Sequence, residues 1–317
     1  MQWPTNVEVY PDTEFLDTLK QSIADVANTI AEFGLVVMLM ASSHRKAARK
    51  KLSEKVEIWD IPTDDLWCRD SGPVFLVDQV GNLSISNLNF NGWGNKQTHE
   101  NDSKIASRVA KRLGLKEISI GLVGEEGGVE SDGAGTLIAH ESSWVNPNRN
   151  MGSKDEVGGM LLKAFGADKV IWAPGIAGED ITDYHIDALA RFSAPSHIII
   201  QLPKQPDPRD TWSIAAFETY KIFKNAKDAR GRPFTFTVVP DPRHTRIKTA
   251  EFVASYVNYY VCNGAVISAQ FGDMETDREA KRLLAKNYPG REVISLNVDP
   301  IGEVGGGIHC ATQQMPA

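Results

Sequence analysis

The chain has 317 residues, and its 34 Lys and Arg against 41 Asp and Glu give a formal charge of −7. This mild acidity provides no electrostatic footprint for nucleic acid or an anionic membrane. With 42% hydrophobic and 24% charged residues, the composition excludes a disordered or fibrous protein. The length is compatible with two domains or with one large repetitive domain.

The sequence shows neither the pattern of a targeting signal nor the cysteine spacing of a disulfide framework. The longest apolar run, 35–41, is far shorter than the roughly 20 residues that a membrane helix needs. The N-terminus lacks the basic and apolar order of a secretory signal, so we expect a soluble cytoplasmic protein. Cys68, Cys262 and Cys310 are too widely spaced for a zinc knuckle or a paired framework.

One order of elements recurs along the chain. A helical pattern over 14–33 ends at Gly34 and is followed by a strand-like run over 35–40. The same helix, glycine and strand order is predicted four more times: 102–113, Gly114 and 117–122; 155–165, Gly166 and 169–172; 210–230, Gly231 and 234–239; 277–288, Gly290 and 292–298. Further strands are predicted over 74–77, 83–90, 137–139, 197–202 and 256–268.

These five units predict an internally repeated α/β fold with one shared core. An ordinary doubly wound α/β sheet with coincidentally similar helix ends fits the spacing equally well. No linker or low-complexity segment divides the chain, and we expect the basic run 44–51 to be a solvated helix face.

Polar and reactive residues follow the predicted strands at similar points of the repeat. If the units surround an axis, their loops meet at one pocket. The segments concerned are 67–70, 125–128, 178–180, 184–187 and 305–310.

Cys310 follows three glycines and a histidine and precedes a polar tail, an environment that favours an exposed reactive thiol over a packed structural cysteine. Cys262 lies in an apolar run and is interpreted as core, and Cys68 beside Arg69 is a weaker candidate nucleophile.

His185 and Asp187 are two residues apart and therefore point to the same side of an extended segment. The pair suits either general acid and base catalysis or metal ligation, with a structural histidine and capping aspartate as the alternative. We favour acid and base catalysis, because the other histidines form no recognisable ligand set such as HExxH.

Asp70, Glu126 and Asp187 would place several carboxylates around the same thiol. Such a group is expected to bind a cation, and a planar guanidinium matches carboxylates with paired hydrogen bonds. Trp67 is either a cation–π partner for that ligand or a core residue. Neither GxxxxGK[ST] nor GxGxxG occurs, so a nucleotide cofactor is not supported.

Five segments, in order along the chain, resemble the agmatine deiminases of the wider bacterial-type peptidyl-arginine deiminase family. These segments are 67–73, 89–94, 126–128, 182–187 and 305–314. The resemblance implies the pentein fold, a five-bladed α/β propeller with pseudo-fivefold symmetry formed by one catalytic domain over 1–317. It also implies hydrolysis of the small cationic substrate agmatine without metal or other cofactor, and a homodimer.

The resemblance also assigns roles to individual residues. Cys310 is the implied nucleophile, His185 the acid and base, and Asp70 and Asp187 the carboxylates that bind the guanidinium. Glu126 is the implied further pocket carboxylate. Trp67, Asp183 and Trp93 are implied to contact the substrate.

This sequence departs from the family pattern in a few places. It has Tyr184 where a glycine is usual, Ala134 where an acidic residue is usual and Cys68 where methionine is usual, and it begins close to the first shared Trp-Pro, Trp3-Pro4. Three alternative functions are a deiminase of free or peptidyl arginine or of another guanidino compound, a metal-dependent ureohydrolase, and a non-catalytic binding module. Arg69, Arg191 and Arg243 are the candidates for receiving a substrate carboxylate.

Overall fold

The computed structural model describes residues 1–316 and shows a mixed α/β fold in which strands and helices alternate. The strands are β1 (Val36–Met40), β2 (Val56–Asp60), β3 (Val74–Val77), β4 (Leu83–Ser86), β5 (Lys116–Ile118), β6 (Val129–Ser131), β7 (Thr136–His140), β8 (Lys169–Ala173), β9 (Ala190–Ala194), β10 (His197–Leu202), β11 (Thr235–Pro240), β12 (Tyr260–Cys262), β13 (Ala265–Ala269) and β14 (Glu292–Leu296). The α-helices are α1 (Thr13–Ile30), α2 (Arg45–Ala48), α3 (Cys68–Ser71), α4 (Gly92–Asn95), α5 (Ile105–Leu113), α6 (Glu141–Trp144), α7 (Lys154–Phe165), α8 (Thr211–Asn225), α9 (Met274–Asn287) and α10 (Asp299–Glu303).

Across residues 1–316 the strands form five separate sheets, four of them with the same order of pairing. In each of these four, the first strand is antiparallel to the second, and the second is parallel to the third across a long helix. The four are β3-β4-α5-β5, β6-β7-α7-β8, β9-β10-α8-β11 and β12-β13-α9-β14. A helix separates each parallel pair because the chain must return to the same end of the sheet before the next parallel strand can begin.

The remaining unit joins the start of the chain to α1 and the parallel pair β1 and β2. Residues 1–3 run alongside β1, since the amide of Trp3 donates to Leu39 and the amide of Leu39 donates to Met1. All five predicted helix-and-strand units are therefore present.

Local chemistry sets where the long helices begin and end. Asp12 caps α1 by accepting from the amides of Glu14 and Phe15, and the predicted apolar face of this helix is buried. Gly114 and Gly166 adopt left-handed conformations directly after α5 and α7, as expected for residues that stop a helix.

Four predicted elements differ clearly from those observed. The helix predicted over 210–230 ends at Asn225, because the Asp228 carboxylate organises a turn by accepting from the amides of Arg230 and Arg232. The strand predicted over 256–268 is a hairpin of β12 and β13, with Gly264 at positive φ in the turn between them. The strands predicted over 83–90 and 117–122 are shorter than expected.

The largest apolar cluster packs one face of α1 against β1 and β13, and Cys310 lies at its edge. Among the described residues, no helix combines the length and apolar character that crossing a membrane requires.

Candidate active site

The predicted reactive residues come from loops of different units. Asp70 lies in the short helix α3 after β2, and His185 and Asp187 lie at the start of a 3₁₀ turn, Ile186–Ala188, after β8. Cys310 lies in the loop that follows α10. These loops meet at a cavity of about 280 Å³, whose lining includes Trp67, Asp70, Trp93, His185, Asp187 and Cys310.

Asp70 has one satisfied and one free carboxylate oxygen. Its Oδ2 accepts a hydrogen bond of 2.9 Å from the indole nitrogen of Trp93, whereas Oδ1 has no hydrogen-bond partner among residues 1–316. Burial, together with the charges of Asp187 and Glu125, raises the pKa of Asp70 to about 7 against the opposing charge of His185 and the hydrogen bond from Trp93. A cation beside Oδ1 would compensate this buried charge.

Asp187 is fully buried and, like Asp70, has one carboxylate oxygen with hydrogen-bond partners and one without. Its Oδ2 accepts from Nδ1 of His309 at 2.7 Å and from the Cys310 thiol at 3.4 Å, whereas Oδ1 has no partner among the described residues. The contact with His309 and the charge of His185 outweigh burial, so the pKa of Asp187 lies below its usual value. The cavity therefore contains two carboxylates that each keep an acceptor free.

His185 lies between carboxylates on both sides of its ring. Nε2 is 3.2 Å from Oε2 of Glu125, and Nδ1 is 3.6 Å from Oδ1 of Asp70. Burial by itself would lower the pKa of His185, but the surrounding charges of Asp70, Glu125 and Asp187 raise it to about 9. The ring is thus an imidazolium at neutral pH and can donate a proton.

Gly127 allows the loops to approach this closely. A Cβ at this position would lie 2.7 Å from both Oδ1 of Asp70 and Nδ1 of His185. Any side chain larger than hydrogen at this position would therefore displace the His185 ring or the Asp70 carboxylate.

Glu125, which the sequence interpretation did not select, occupies the place predicted for Glu126. Glu125 is 1% exposed and holds both His185 and the Arg149 guanidinium, with 2.9 Å between Oε2 and Nε of Arg149. Glu126 begins the next turn and points away, so its carboxylate pairs with Arg69 at 3.1 Å and accepts from Gln313. The contacts of Glu126 therefore lie outside the cavity, and the glutamate that contacts His185 is Glu125.

The Cys310 thiol is held by Asn258, a second residue that the sequence interpretation missed. Nδ2 of Asn258 is 3.1 Å from Sγ, and its Oδ1 accepts from the amides of His309 and Cys310. Burial, with the charges of Asp187 and Asp70, raises the pKa of Cys310 well above its usual value. These effects favour the neutral thiol, which a bound cation would help to ionise.

His309 is buried beside Asp187 and was not selected either. Burial and the charges of Arg191 and Arg69 lower the pKa of His309 well below its usual value, although Asp187 opposes them. The ring is therefore neutral, and it donates from Nδ1 to fix the orientation of Asp187.

The three residues predicted to contact substrate divide into two groups. Trp67 and Trp93 line the cavity, and the ring of Trp67 packs against Gly306. Asp183 is not part of the cavity lining. Its carboxylate instead accepts from Lys96 and Arg149 at 2.7 Å each, so that it fixes the loop before His185.

The three candidate arginines all have partners elsewhere. Arg69 pairs with Glu126, Arg191 donates from Nε to Glu130 at 2.8 Å, and both terminal nitrogens of Arg243 donate to Glu275 at 2.7 Å. Among the described residues, no group of three His, Cys, Asp or Glu side chains has an arrangement that could hold a metal ion.

The chain is similar to known proteins over its whole length. Residues 1–316 match the Porphyromonas-type peptidyl-arginine deiminase family. A relative from Streptomyces coelicolor, provisionally named an agmatine deiminase, is 33% identical over 324 residues that span 100% of this chain and 95% of the relative.

Solved structures show the same fold. The agmatine deiminase of Enterococcus faecalis superposes with a TM-score of 0.91 at 24% identity, covering 100% of this chain and 92% of that one. A cysteine-to-serine variant of the C. jejuni agmatine deiminase, with substrate bound, gives a TM-score of 0.85 at 25% identity over 98% and 91% of the two chains. The chain therefore belongs to the Porphyromonas-type peptidyl-arginine deiminase family.

Proposed function

We propose that this protein hydrolyses the guanidinium group of agmatine, releasing ammonia and N-carbamoylputrescine. The observation that carries this proposal is the pair of unpartnered oxygens, Oδ1 of Asp70 and Oδ1 of Asp187, in the cavity that holds the Cys310 thiol. The N–H groups of a guanidinium lie in its plane and point to different edges of the group, so that it can donate to both carboxylates. Trp67 and Trp93 supply aromatic surface beside it.

Substrate binding prepares the nucleophile. The cationic guanidinium lowers the pKa of Cys310, which burial and the carboxylates otherwise raise, and the thiol releases its proton to solvent, since His185 is already protonated. The Cys310 thiolate attacks the guanidinium carbon while the His185 imidazolium protonates the nitrogen that leaves as ammonia. A covalent thiouronium and a neutral His185 remain.

Water completes the reaction. The neutral His185 removes a proton from a water molecule as its oxygen bonds to the thiouronium carbon. The carbon–sulfur bond then breaks, the ureido product leaves, and Cys310 and His185 return to their thiol and imidazolium forms. Asn258 holds Sγ in place through both steps.

Two observations favour agmatine over arginine as the substrate. Arg69, Arg191 and Arg243 are all bound to carboxylates of the chain, which leaves none of the three free to bind a substrate carboxylate. The relatives from Streptomyces coelicolor and Enterococcus faecalis carry the agmatine deiminase name.

The proposal extends to the architecture and to the place of action. We propose that residues 1–317 form one catalytic domain in which the five units surround a pseudo-fivefold axis as a propeller, which explains why loops from different units meet at one cavity. The nucleophilic thiol must stay reduced, and this requirement favours the cytoplasm.

The proposal is tested by mass analysis of the products formed from an equal mixture of agmatine and arginine, with EDTA present. We expect a product in which =O replaces =NH on agmatine alone, and release of ammonia. Conversion of arginine would contradict the choice of substrate, and release of urea that EDTA suppresses would indicate a metal-dependent ureohydrolase.

The same assay tests the covalent step. Cys310→Ser should lower turnover by more than about 10⁴-fold, because serine is a far weaker nucleophile in this acidic pocket. Cys262→Ser removes a half-buried thiol of the β12–β13 hairpin and is the matched control, with activity close to wild type. Equal activity of Cys310→Ser and wild type would rule out the covalent mechanism.

A further inference from the structure

A second cavity of about 1,090 Å³ adjoins the catalytic one. Four residues line both cavities, and these are Tyr184, Ala188, Gln201 and Trp212. The catalytic cavity, at about 280 Å³, is small for a ligand site and has room for a guanidinium with a short chain. A longer substrate chain that passes Tyr184 and Trp212 would therefore enter the second cavity, which we call the outer cleft.

The outer cleft is acidic, and part of its charge is uncompensated. Its charged lining residues are Asp207, Asp210, Asp241, Glu275 and Glu279, against Lys204 and Arg243. Ion pairs engage Asp207 with Arg209, Glu275 with Arg243 and Glu279 with Arg282. Asp210 and Asp241 form no ion pair with a described residue. Lys204 forms no ion pair with a described residue either, so these unpaired side chains carry a net charge of −1 when both carboxylates are ionised, and this charge favours a cation.

Tyr184 provides an independent indication of a ligand. Its side chain is only 7% exposed and stacks on His140, with ring centroids 4.4 Å apart and an interplanar angle of 10°. The hydroxyl makes no hydrogen bond to any described residue, although the residue lines both cavities. Because Tyr184 lines both cavities and its hydroxyl has no partner among the described residues, the hydroxyl is available to a ligand that passes between them.

Tyr184 lines the outer cleft together with Asp210 and Asp241. Burial, followed by the charges of Asp180, Asp241 and Asp210, raises the pKa of Tyr184 far above its usual value. Its backbone has a φ of 72°, in the left-handed region that a tyrosine adopts only when its surroundings hold it there. The ring of Trp212 meets Tyr184 edge to face at 4.9 Å and can stack against an alkylammonium.

We propose that the outer cleft binds the cationic tail of a guanidino polyamine, a substrate longer than agmatine with an additional amine beyond the agmatine nitrogen. This inference rests on the proposed function, since it assigns the distal part of a substrate whose guanidinium reacts at Cys310. The distal ammonium donates to Asp241 and Asp210, and the Tyr184 hydroxyl accepts from the amine that passes between the two cavities.

The test compares two compounds in the same assay. One is agmatine, and the other is agmatine with a 3-aminopropyl group on its terminal nitrogen. We expect the ratio of their kcat/KM values to favour the extended compound in the wild type. Asp241→Asn should lower this ratio about five- to tenfold, which is the expected effect of one partly exposed charged hydrogen bond. Tyr184→Phe, which keeps the stacked ring, should lower it about threefold.

One control distinguishes the charge of the substrate tail from its length. The other distinguishes the outer cleft from an unrelated carboxylate on the surface. Agmatine with an uncharged propyl group has the same chain length, and its ratio to agmatine should not respond to Asp241→Asn. Glu32→Gln removes an exposed carboxylate that pairs with Lys55, and it should leave every ratio unchanged.

The outcomes distinguish this inference from the proposed function. Turnover of agmatine with a ratio that Asp241→Asn and Tyr184→Phe leave unchanged would overturn the inference and leave the deiminase proposal standing. A failure to convert either compound would refute the deiminase proposal and the inference that rests on it.

Discussion

Two groups of buried carboxylates occur close together in this chain, and their hydrogen bonding differs. In the first group, every carboxylate oxygen of Asp64, Asp65 and Asp102 accepts a hydrogen bond from the protein. In the second group, Asp70 and Asp187 each keep one buried oxygen without a partner. The protein supplies every hydrogen bond that the first group needs, whereas the second group needs donors from a ligand.

The comparison shows that burial alone does not identify a binding site. Burial raises the pKa of Asp65 and Asp102 as it raises that of Asp70. What differs is the number of protein donors, because hydrogen bonds from the chain satisfy the structural carboxylates. An unsatisfied acceptor beside a nucleophile is the better indication of where a cationic substrate binds.

The largest expected effect comes from neutralising one carboxylate of each group. Asp70→Asn keeps an acceptor for Trp93 but turns an amide toward the substrate, so kcat/KM for agmatine should fall about 10²- to 10³-fold. Its thermal unfolding temperature should equal or exceed that of the wild type, because an ionised carboxylate with a pKa of about 7 opposes folding at higher pH.

Asp102→Asn should show the opposite pattern. Its amide would face the backbone N–H of Asp64 or Asp65, at a cost of about 1–3 kcal/mol in the free energy of unfolding. The folded enzyme should retain its kcat/KM. If Asp102→Asn abolished catalysis at full stability, or Asp70→Asn lost stability but not activity, the distinction between the two groups would be lost.

A smaller effect is expected from the adjacent glutamates. Glu125→Gln removes a charge that raises the pKa of His185, so kcat/KM should fall about tenfold and the pH above which it levels off should decrease. Glu126→Gln is the matched control, and its kcat/KM should stay within about threefold of wild type, since Arg69 and Gln313 hold this side chain outside the cavity. Steady-state kinetics on both variants test this choice between the two glutamates. A larger loss of kcat/KM for Glu126→Gln than for Glu125→Gln would contradict it.

The mildest perturbation is a change of pH. Ionised Asp70 is needed to bind the guanidinium, and its pKa of about 7 means that kcat/KM rises as the pH passes through 7. Protonated His185 is needed for ammonia release, and its pKa of about 9 means that the imidazolium fraction falls as the pH passes through 9. The Cys310 thiol must also ionise, and because its pKa is raised well above the usual value the thiolate fraction is still rising there, so we expect kcat/KM to rise with pH and to level off above about pH 9. A profile that keeps rising above pH 9 would contradict the role of His185 as the proton donor.

Much of the fold follows from local sequence signals. The periodic apolar face of α1 and the glycines after α5 and α7 are one-dimensional patterns, and the corresponding elements are found close to their predicted bounds. The end of α8 was predicted wrongly, because the carboxylate of Asp228 forms a turn that competes with the helix.

The site was predictable only in part, because some of its contacts depend on the three-dimensional arrangement and not on the local sequence. Cys310, His185, Asp187 and Asp70 stand in distinctive motifs and do line one cavity. The choice between Glu125 and Glu126 depends on which side of a 3₁₀ turn each residue occupies, and spacing to the following glycines did not settle it. Asn258 lies in a run of apolar and aromatic residues, and only the contact with Cys310 reveals its position.

The central claim is that the free oxygens of Asp70 and Asp187 bind the guanidinium, and a crystal structure of Cys310→Ser with agmatine tests it most directly. We predict guanidinium nitrogens within hydrogen-bond distance of Oδ1 of Asp70 and Oδ1 of Asp187, with the guanidinium carbon facing Oγ of the introduced serine. A guanidinium bound in the outer cleft, or one that leaves both oxygens without a partner, would contradict the account.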